Sequence, residues 1–315
     1  NILEHSKFIN NLYELKNIFL YFNHSVPQYI ETTIIKMSSI LNEYFHLDGS
    51  IPLFNGTNNN YTDVIHKMIS KDEYFKSRKF INSKNGIAFY SDKQKKIFFD
   101  VVQPNKDSVS KNLSAGTLSI EISGLNEKII TNCGASESYG KNPEYLRYSA
   151  AHSTIILQNT NISEIKEKNP HIKFPQLVTF NYESVGDQII FEGSHNGYVN
   201  KYNKIIKRKI EINQRDNKIF GEDSVISHKK KGERVIYHIR FHLVDGITYN
   251  FTNNKKNIIL KTKKNNMWIF KSDTELIIED SILVDNNQIN PTKQIVIKGI
   301  IIENKLTKKW SLEKI

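Results

Sequence analysis

The segment RYSAAHST, which begins at Arg147, contains the residue types best suited to chemistry. Arg147 could bind a carboxylate or sulfate through two parallel hydrogen bonds, and His152 could exchange a proton with a substrate. Tyr139 and Tyr145 lie just upstream in a polar loop, where a phenol could act as an acid or a base. Each residue also has a structural interpretation: His152 as a buried tie between strands, Arg147 as a partner of Glu121, and the tyrosines as packing residues.

Two further groups of polar residues lie close together in the sequence. His195 and Tyr198 flank an Asn-Gly pair, which predicts a turn that is either structural or at the edge of a substrate site. His238, Arg240 and His242 alternate along one strand and share a face, which predicts either a solvated face or a polar cleft. The candidate catalytic residues are His152, Arg147, Tyr139, Tyr145 and His195, and the candidate substrate-binding residues are Asn132, Tyr198, Arg240 and His242.

The elements that must position these residues change in character along the chain. Residues 1–47 show apolar residues at spacings of three and four, which predicts amphipathic helices, with a second helix beginning near Pro27. The first apolar stripe includes Leu15, Ile18 and Phe22 and predicts packing partners that this chain does not contain. Residues 51–56 predict a strand and a turn, and residues 61–73 predict one more short helix.

From Ile87 onward, short β-rich runs separated by turn residues predict stacked antiparallel sheets. In the run 117–122, Leu118, Ile120 and Ile122 alternate with polar residues, as expected for a sheet with one buried face. The predicted strands are residues 96–102, 117–122, 128–131, 154–157, 188–191, 235–243 and 294–302.

The composition is that of a globular protein with an excess of basic residues. The 315 residues are 38% apolar and 24% charged, with a net charge of +11. The charge indicates either an acidic polymer as partner or an A/T-rich coding bias, which would also enrich Lys, Asn and Ile. The basic clusters at 204–209, 229–231 and 261–264 are interpreted first as solvated faces. We find no nucleic-acid-binding motif, so nucleic acid is not an expected partner.

The same composition predicts neither a membrane span nor a disulfide. No apolar run approaches the roughly 18 residues that a span needs. Cys133 is the single cysteine, and its apolar context favours a core residue over a nucleophile. The first residues lack the features of a signal peptide, and we expect the chain to begin inside a longer protein.

Four segments, taken in order, resemble the C-terminal domain of the heparinase II/III-like family. Residues 118–121 (LSIE) resemble its Leu-Ser-Phe-Glu strand, and residues 132–134 (NCG) stand where the family has an acidic residue and a glycine. Residues 147–154 resemble the signature Arg-x-Thr-x-Ala-His-Asn/Ser-Thr, which is the most specific match. Residues 194–198 (SHNGY), together with the later Arg208, complete the order. The helical lead-in and residues 53–56 resemble the segment that joins toroid to sandwich.

The resemblance implies a mainly β fold: a large antiparallel β-sandwich at residues 76–315, preceded at residues 1–75 by the last helices of a truncated (α/α) toroid. It implies a polysaccharide lyase-like protein that acts on an acidic, uronate-containing glycan by β-elimination. Part of the active site would lie in the missing N-terminal toroid, so the chain alone is expected to be inactive. The alternative is a non-catalytic sandwich that binds glycan or packs on a helical domain. The family also implies a bacterial cell envelope or periplasm.

One departure from the family concerns a structural metal. Some members bind it through residues that correspond to Ser114, Asn132 and His152. Zinc prefers imidazole, thiolate or carboxylate ligands, so a hydroxyl and an amide with one histidine would bind it poorly. We therefore expect no metal and no cofactor, and this departure is what keeps the non-catalytic alternative open.

Overall fold

The structure is a computed structural model that describes residues 2–69, 80–81, 86–104, 113–136, 143–165, 173–229, 234–252 and 254–315. Its longer helices lie at the N-terminus: α1 (Ile2–Tyr21), α2 (Gln28–Leu41) and α3 (Thr62–Ile69). Two helices of four residues, α4 (Glu144–Arg147) and α5 (Val199–Tyr202), interrupt the strands. None of the helices in the described ranges is both long and apolar enough to cross a membrane.

The rest of the described chain is mainly antiparallel β-structure. The strands are β1 (Phe80–Ile81), β2 (Ile87–Ser91), β3 (Lys95–Asp100), β4 (Ile120–Gly124), β5 (Glu127–Thr131), β6 (Ile155–Leu157), β7 (Val178–Val185), β8 (Gln188–Tyr198), β9 (Lys204–Asn213), β10 (Lys218–Ser227), β11 (Val235–Leu243), β12 (Thr248–Phe251), β13 (Asn257–Lys261), β14 (Met267–Ser272), β15 (Ile277–Asp285), β16 (Gln288–Ile301) and β17 (Lys305–Lys314).

These strands form two sheets that pack face to face. The first sheet has the order β1-β2-β3-β4-β5-β11-β16-β15, with β6 paired to β11, and the second has the order β12-β13-β14-β17-β10-β9-β8-β7. The inward-facing residues of both sheets form one large core, which includes Phe99, Ile122, Phe241, Phe270 and Trp310. Burying each such side chain contributes about 1.5–3 kcal/mol, so this core is the main source of stability.

A connecting segment, residues 43–60, covers part of the outer face of the first sheet. Phe54 packs there with Phe89 and Phe98, which point away from the main core because strand side chains alternate. The buried His46, also in the connecting segment, contacts Glu121 of β4 on the same face. The N-terminal helices are thereby fixed on one side of the sandwich.

The predicted mainly β sandwich preceded by N-terminal helices is confirmed over the described residues, where the helices outside the N-terminal region are the four-residue α4 and α5. Helix α2 begins directly after Pro27, as predicted. The strand predicted at 117–122 begins later, at Ile120, because Leu118 adopts a left-handed backbone conformation with φ 62°. Residues 51–54 form no strand, so the predicted strand there is wrong. The predicted Asn-Gly turn lies inside β8, at a register shift between His195 and Tyr198.

The first apolar stripe of α1 is largely exposed. Leu15, Ile18 and Phe22 are 40%, 54% and 62% exposed, whereas Ile2 and Ile9 are buried. The predicted periodicity is present, but in the described chain this stripe is not packed into a core.

Candidate functional site

A cleft of about 360 Å³ lies on the outer face of the first sheet, the face that also carries the connecting segment. His242 of β11 and Gln294 of β16 are cross-strand partners at its base, and Ser281 of β15 lies beside them. Tyr145 of α4 and Tyr148 form part of its wall. The cleft therefore combines phenols, a hydroxyl, an amide and an imidazole with the carboxylate of Asp280.

The elements around the cleft fix these groups by alternation and packing. His242 points outward because its neighbours Phe241 and Leu243 belong to the main core. Helix α4 is held by Leu146, which packs in a small apolar cluster with Cys133, Ala151 and Val284. Tyr145 of the same helix remains 46% exposed, so its phenol is accessible.

His242 is a neutral side chain in this cleft. Burial, the positive charge of Arg240 and the proximity of His152 together lower the pKa of His242 to about 3. Its Nδ1 lies 2.6 Å from Ser281 Oγ and 3.6 Å from Cys133 Sγ, while Nε2 has no hydrogen-bond partner among the described residues. Burial also raises the pKa of the Cys133 thiol to about 12. The pair thus offers neutral donors and acceptors rather than a charged nucleophile.

Arg240 lies beside the cleft, where its charge is balanced. Its Nη1 donates to Glu279 at 2.9 Å and to the side-chain oxygen of Gln294 at 3.1 Å. The predicted shared face of His238, Arg240 and His242 is present, and it includes both a partly exposed part and the cleft. Whether Arg240 and His242 bind substrate stays a prediction.

His152 is buried close to the cleft. Its ring lies against Gly116, where a Cβ would come within 2.5 Å of the imidazole Cδ2 atom, so only glycine leaves room for it. Its Nδ1 lies 2.9 Å from the carbonyl oxygen of Tyr148. Burial lowers the pKa of His152 to about 4, so the imidazole is neutral at pH 7. This geometry fits the structural interpretation of a tie between segments.

The side chain of Asn132 connects Ser153, the residue after His152, to the buried carboxylate of Glu121. Its side-chain Nδ2 donates to Glu121 at 3.1 Å, and its Oδ1 accepts from the Ser153 backbone N–H at 2.9 Å. Ser114 donates its backbone N–H to the side chain of Asn55. Over the described residues, no three His, Cys, Asp or Glu side chains come together as metal ligands. The orientation of Asn132 is thus already determined by protein partners, and the expectation of no metal stays a prediction.

His195 and Tyr198 lie between the sheets rather than at the cleft. Both are buried on the inward side of β8, and the Tyr198 hydroxyl donates to the Thr160 carbonyl at 2.8 Å. Burial lowers the pKa of His195 to about 3. Neither side chain lines the cleft: the alternation of β8 points His195 inward, and the register shift between the two residues brings Tyr198 to the same side.

The remaining candidates differ in accessibility. Arg147 is buried, and its Nε donates to the Leu113 carbonyl at 3.0 Å, whereas the carboxylate of Glu121 is bonded to other groups. Tyr139 lies outside the described residues. Sequence reasoning missed Tyr148, Ser281 and Gln294, although Tyr148 stands inside the quoted signature. Ser281 and Gln294 lie in strands that gave no chemical signal.

A second concavity, of about 440 Å³, lies between the connecting segment and the turns of the sandwich. Lys263 and Lys264 flank it, with Lys263 paired to Asp245 at 2.8 Å and Lys264 bonded to the Asn126 carbonyl. Its carboxylates, including Glu127 and Asp285, also accept hydrogen bonds from protein groups. The balance of charge makes this concavity a weaker candidate for binding an anion.

The comparisons with known proteins agree with this architecture. The family model described as heparinase II/III-like, C-terminal, matches residues 81–311. The crystal structure of heparan sulfate lyase HepC from Pedobacter heparinus superposes with a TM-score of 0.75 at 13% identity. The superposition covers 100% of this chain and 52% of the HepC chain. The crystal structure of heparinase III gives a TM-score of 0.79 at 11% identity, with 100% and 53% coverage. No curated protein matches the sequence.

The chain therefore belongs to the heparinase II/III-like family. It spans about half the length of the solved structures that it resembles. At these identities the structural likeness establishes the β-sandwich fold alone.

Proposed function

We propose that this protein is a polysaccharide lyase-like protein that acts on a uronate-containing glycan, of the glycosaminoglycan type, by β-elimination. Family membership over residues 81–311 supports the class, and the cleft with Tyr145, Tyr148 and His242 is the observation that carries the site. In this proposal residues 1–75 are the end of a helical toroid and residues 76–315 the sandwich domain, and the protein works in a bacterial cell envelope or periplasm.

β-Elimination needs three groups. One neutralises the uronate carboxylate so that the C5 proton becomes acidic, a base removes that proton, and an acid protonates the departing glycosidic oxygen. The exposed Tyr145 phenol is the described group best placed for proton transfer, and the neutral His242, Ser281 and Gln294 can bond sugar hydroxyls. The chain spans half of its structural relatives, and we propose that the remaining groups belong to a toroid domain.

A second candidate is a non-catalytic sandwich that binds glycan. The burial of His152 and Arg147 and the low pKa of both His152 and His242 favour it, because neither imidazole is an effective base at pH 7. The two candidates share the cleft and differ in whether a bond is cleaved.

The experiment compares this 315-residue chain with a longer form that carries, before residue 1, the helical toroid domain that this proposal requires. Both are incubated with heparin, heparan sulfate, alginate and hyaluronan, and unsaturated uronate is followed by its ultraviolet absorbance. We expect product only with the longer form, and Tyr145→Phe should lower its rate about 100-fold or more.

Tyr145→Phe removes one oxygen and keeps the ring, and Tyr182→Phe on the second sheet is the matched control. Glycan binding without product by the longer form supports the non-catalytic candidate. Product from the 315-residue chain alone would contradict the assignment of missing groups to a toroid.

A further inference from the structure

One carboxylate, that of Glu121, lies between the connecting segment and the loop that carries His152. Glu121 is fully buried on the outer face of β4. Its Oε2 lies 2.9 Å from His46 Nε2 and 3.1 Å from Lys128 Nζ. Its Oε1 accepts from both the backbone N–H and the side-chain Nδ2 of Asn132, at 2.9 and 3.1 Å. Oε1 also accepts the backbone N–H of Leu53, in the connecting segment, at 3.1 Å, so the carboxylate is bonded to the segment through both oxygens and to the loop through Oε1.

On the side of Oε2, the contacts hold the connecting segment in place. His46 Nδ1 lies 3.0 Å from Ser123 Oγ, so both ring nitrogens are bonded to β4. Lys128 Nζ donates to the Ile51 carbonyl at 2.9 Å, and the Lys128 backbone N–H donates to Asp48 at 3.0 Å. Removing a partner from a buried charged group is expensive, so these bonds specify one seating of the segment.

On the side of Oε1, the contacts orient the loop. Because the Asn132 amide directs its NH₂ group at Glu121, its oxygen is directed at the Ser153 N–H, 2.9 Å away. The Ser153 carbonyl accepts from Arg208 at 2.7 Å, and its hydroxyl donates to the Thr131 carbonyl at 2.6 Å. Ser153 directly follows His152, so the orientation of one amide helps to set the position of the histidine.

We propose that Glu121 is a positioning residue that transmits the seating of the connecting segment to the His152 loop and so to the neighbouring cleft. If His46 leaves, Oε2 retains only Lys128 and the connecting segment is held less firmly. Because the Leu53 N–H of that segment shares Oε1 with Asn132, a shift of the segment draws the carboxylate away from the Asn132 amide. The Asn132 amide then loses the partner that orients it. This coupling follows from the hydrogen-bond geometry and does not depend on whether the protein cleaves glycan.

Cys133 provides the measurement, because it is the single cysteine of the chain, only 3% exposed, and directly follows Asn132. Its backbone N–H bonds the Ala151 carbonyl at 2.9 Å, so loosening of the loop exposes its thiol. The rate of labelling by a maleimide is measured for the full chain, for His46→Ala, for Asn132→Ala and for the double variant. We expect each single variant to raise the rate about tenfold and the double variant to raise it no further.

The conservative variant His46→Gln retains an N–H donor for Glu121 and should restore slow labelling. If it labels as fast as His46→Ala, the loss of imidazole packing on Phe98 explains the effect and the proposal is overturned. The proposal would also be overturned if the labelling rate of the double variant rose by the product of the two single-variant increases.

Leu260→Ala, in β13 of the second sheet and part of the main core, is the control for global unfolding. It should lower the melting temperature without raising the labelling rate; equal labelling at equal loss of stability would contradict the proposal. Should His46→Ala fail to fold, Ser123→Ala weakens the same contact and is expected to raise the rate about twofold, and an unchanged rate would overturn the proposal.

Discussion

Both faces of β9 carry basic residues from one run of sequence, KIIKRK. The basic residues of one face are buried, and those of the other face are partly exposed to solvent. On the inward face, Arg208 is fully buried and pairs with Asp223 through bonds of 2.6 and 3.0 Å. On the outward face, Lys207 pairs with Glu192 at 2.8 Å and remains 38% exposed. Residues that differ by one position thus belong to two different electrostatic environments.

The inward pair is satisfied by further bonds that the outward pair does not need. Arg208 also donates to the Leu118 and Ser153 carbonyls, at 2.9 and 2.7 Å, and Trp310 Nε1 donates to Asp223 at 2.9 Å. Buried charges are tolerated only when paired and hydrogen-bonded, whereas water solvates an exposed lysine. Arg208 therefore links the two sheets, whereas Lys207 contacts only a neighbouring strand on the solvent-exposed face of its own sheet.

The largest expected effect is that of breaking the inward pair. Arg208→Ala leaves the Asp223 charge buried and should lower the free energy of unfolding by about 3–5 kcal/mol. Urea denaturation measures this, with Lys209→Ala, one position away on the outward face, as the matched control. A loss for Arg208→Ala no larger than that of the control would show that the two faces are equivalent.

A second expected effect is a pH dependence of stability that comes from the inward-facing His195. Burial lowers the pKa of His195 to about 3. Because the folded protein binds this proton less tightly than the unfolded chain, stability falls as pH drops below the unfolded pKa of about 6.5. Between pH 7 and pH 5, His195 alone should account for a loss of about 2 kcal/mol, which His195→Gln removes. The measurement is urea unfolding at both pH values with the exposed His228→Gln as control; an unaltered pH dependence in His195→Gln would contradict it.

The sandwich was predictable because alternation and turn residues are local signals. The face of β9 was not, since both alternating sets mix isoleucine with basic residues: Ile206 and Arg208 lie inside, Ile205 and Lys207 outside. We interpreted this run as a solvated face, which is wrong for Lys204 and Arg208, both fully buried. Which face is buried depends on the partner strand β10, which brings Asp223 opposite Arg208.

The candidate site was predictable only in part, for the same reason. The signature segment led to His152, the polar loop before it led to Tyr145, and alternation led to His242, because these signals are all short-range. The network around Glu121 depends on His46, 75 residues away in sequence, and no local pattern announces such a contact. His195 and Tyr198 were misplaced because an Asn-Gly pair inside a bulged strand looks like a turn.

The comparison extends to the first sheet, where Asp100 is buried beneath the connecting segment. Burial raises the pKa of Asp100 to about 7, and its Oδ1 accepts the Val102 N–H at 3.0 Å. The folded protein therefore holds this proton more tightly than the unfolded chain, and the stability it contributes is lost as pH rises through 7. Asp100→Asn should gain about 1.4 kcal/mol relative to the parent between pH 6 and pH 8, measured by urea unfolding. An equal difference at both pH values would show that Asp100 is ionised throughout.

The smallest expected effect is that of the outward pair Lys207–Glu192. Both side chains are more than a third exposed, so water and salt screen the attraction, and holding two long side chains together costs conformational entropy. A double-mutant cycle with Lys207→Ala and Glu192→Ala should give a coupling of about 0–1 kcal/mol, and about 0.5 M NaCl should remove most of it. The same cycle on Arg208 and Asp223 should give a larger coupling that salt barely changes, because no solvent reaches that pair. A coupling for Lys207–Glu192 that matches the inward pair, or that persists in salt, would mean that exposure is not what separates the two faces of β9.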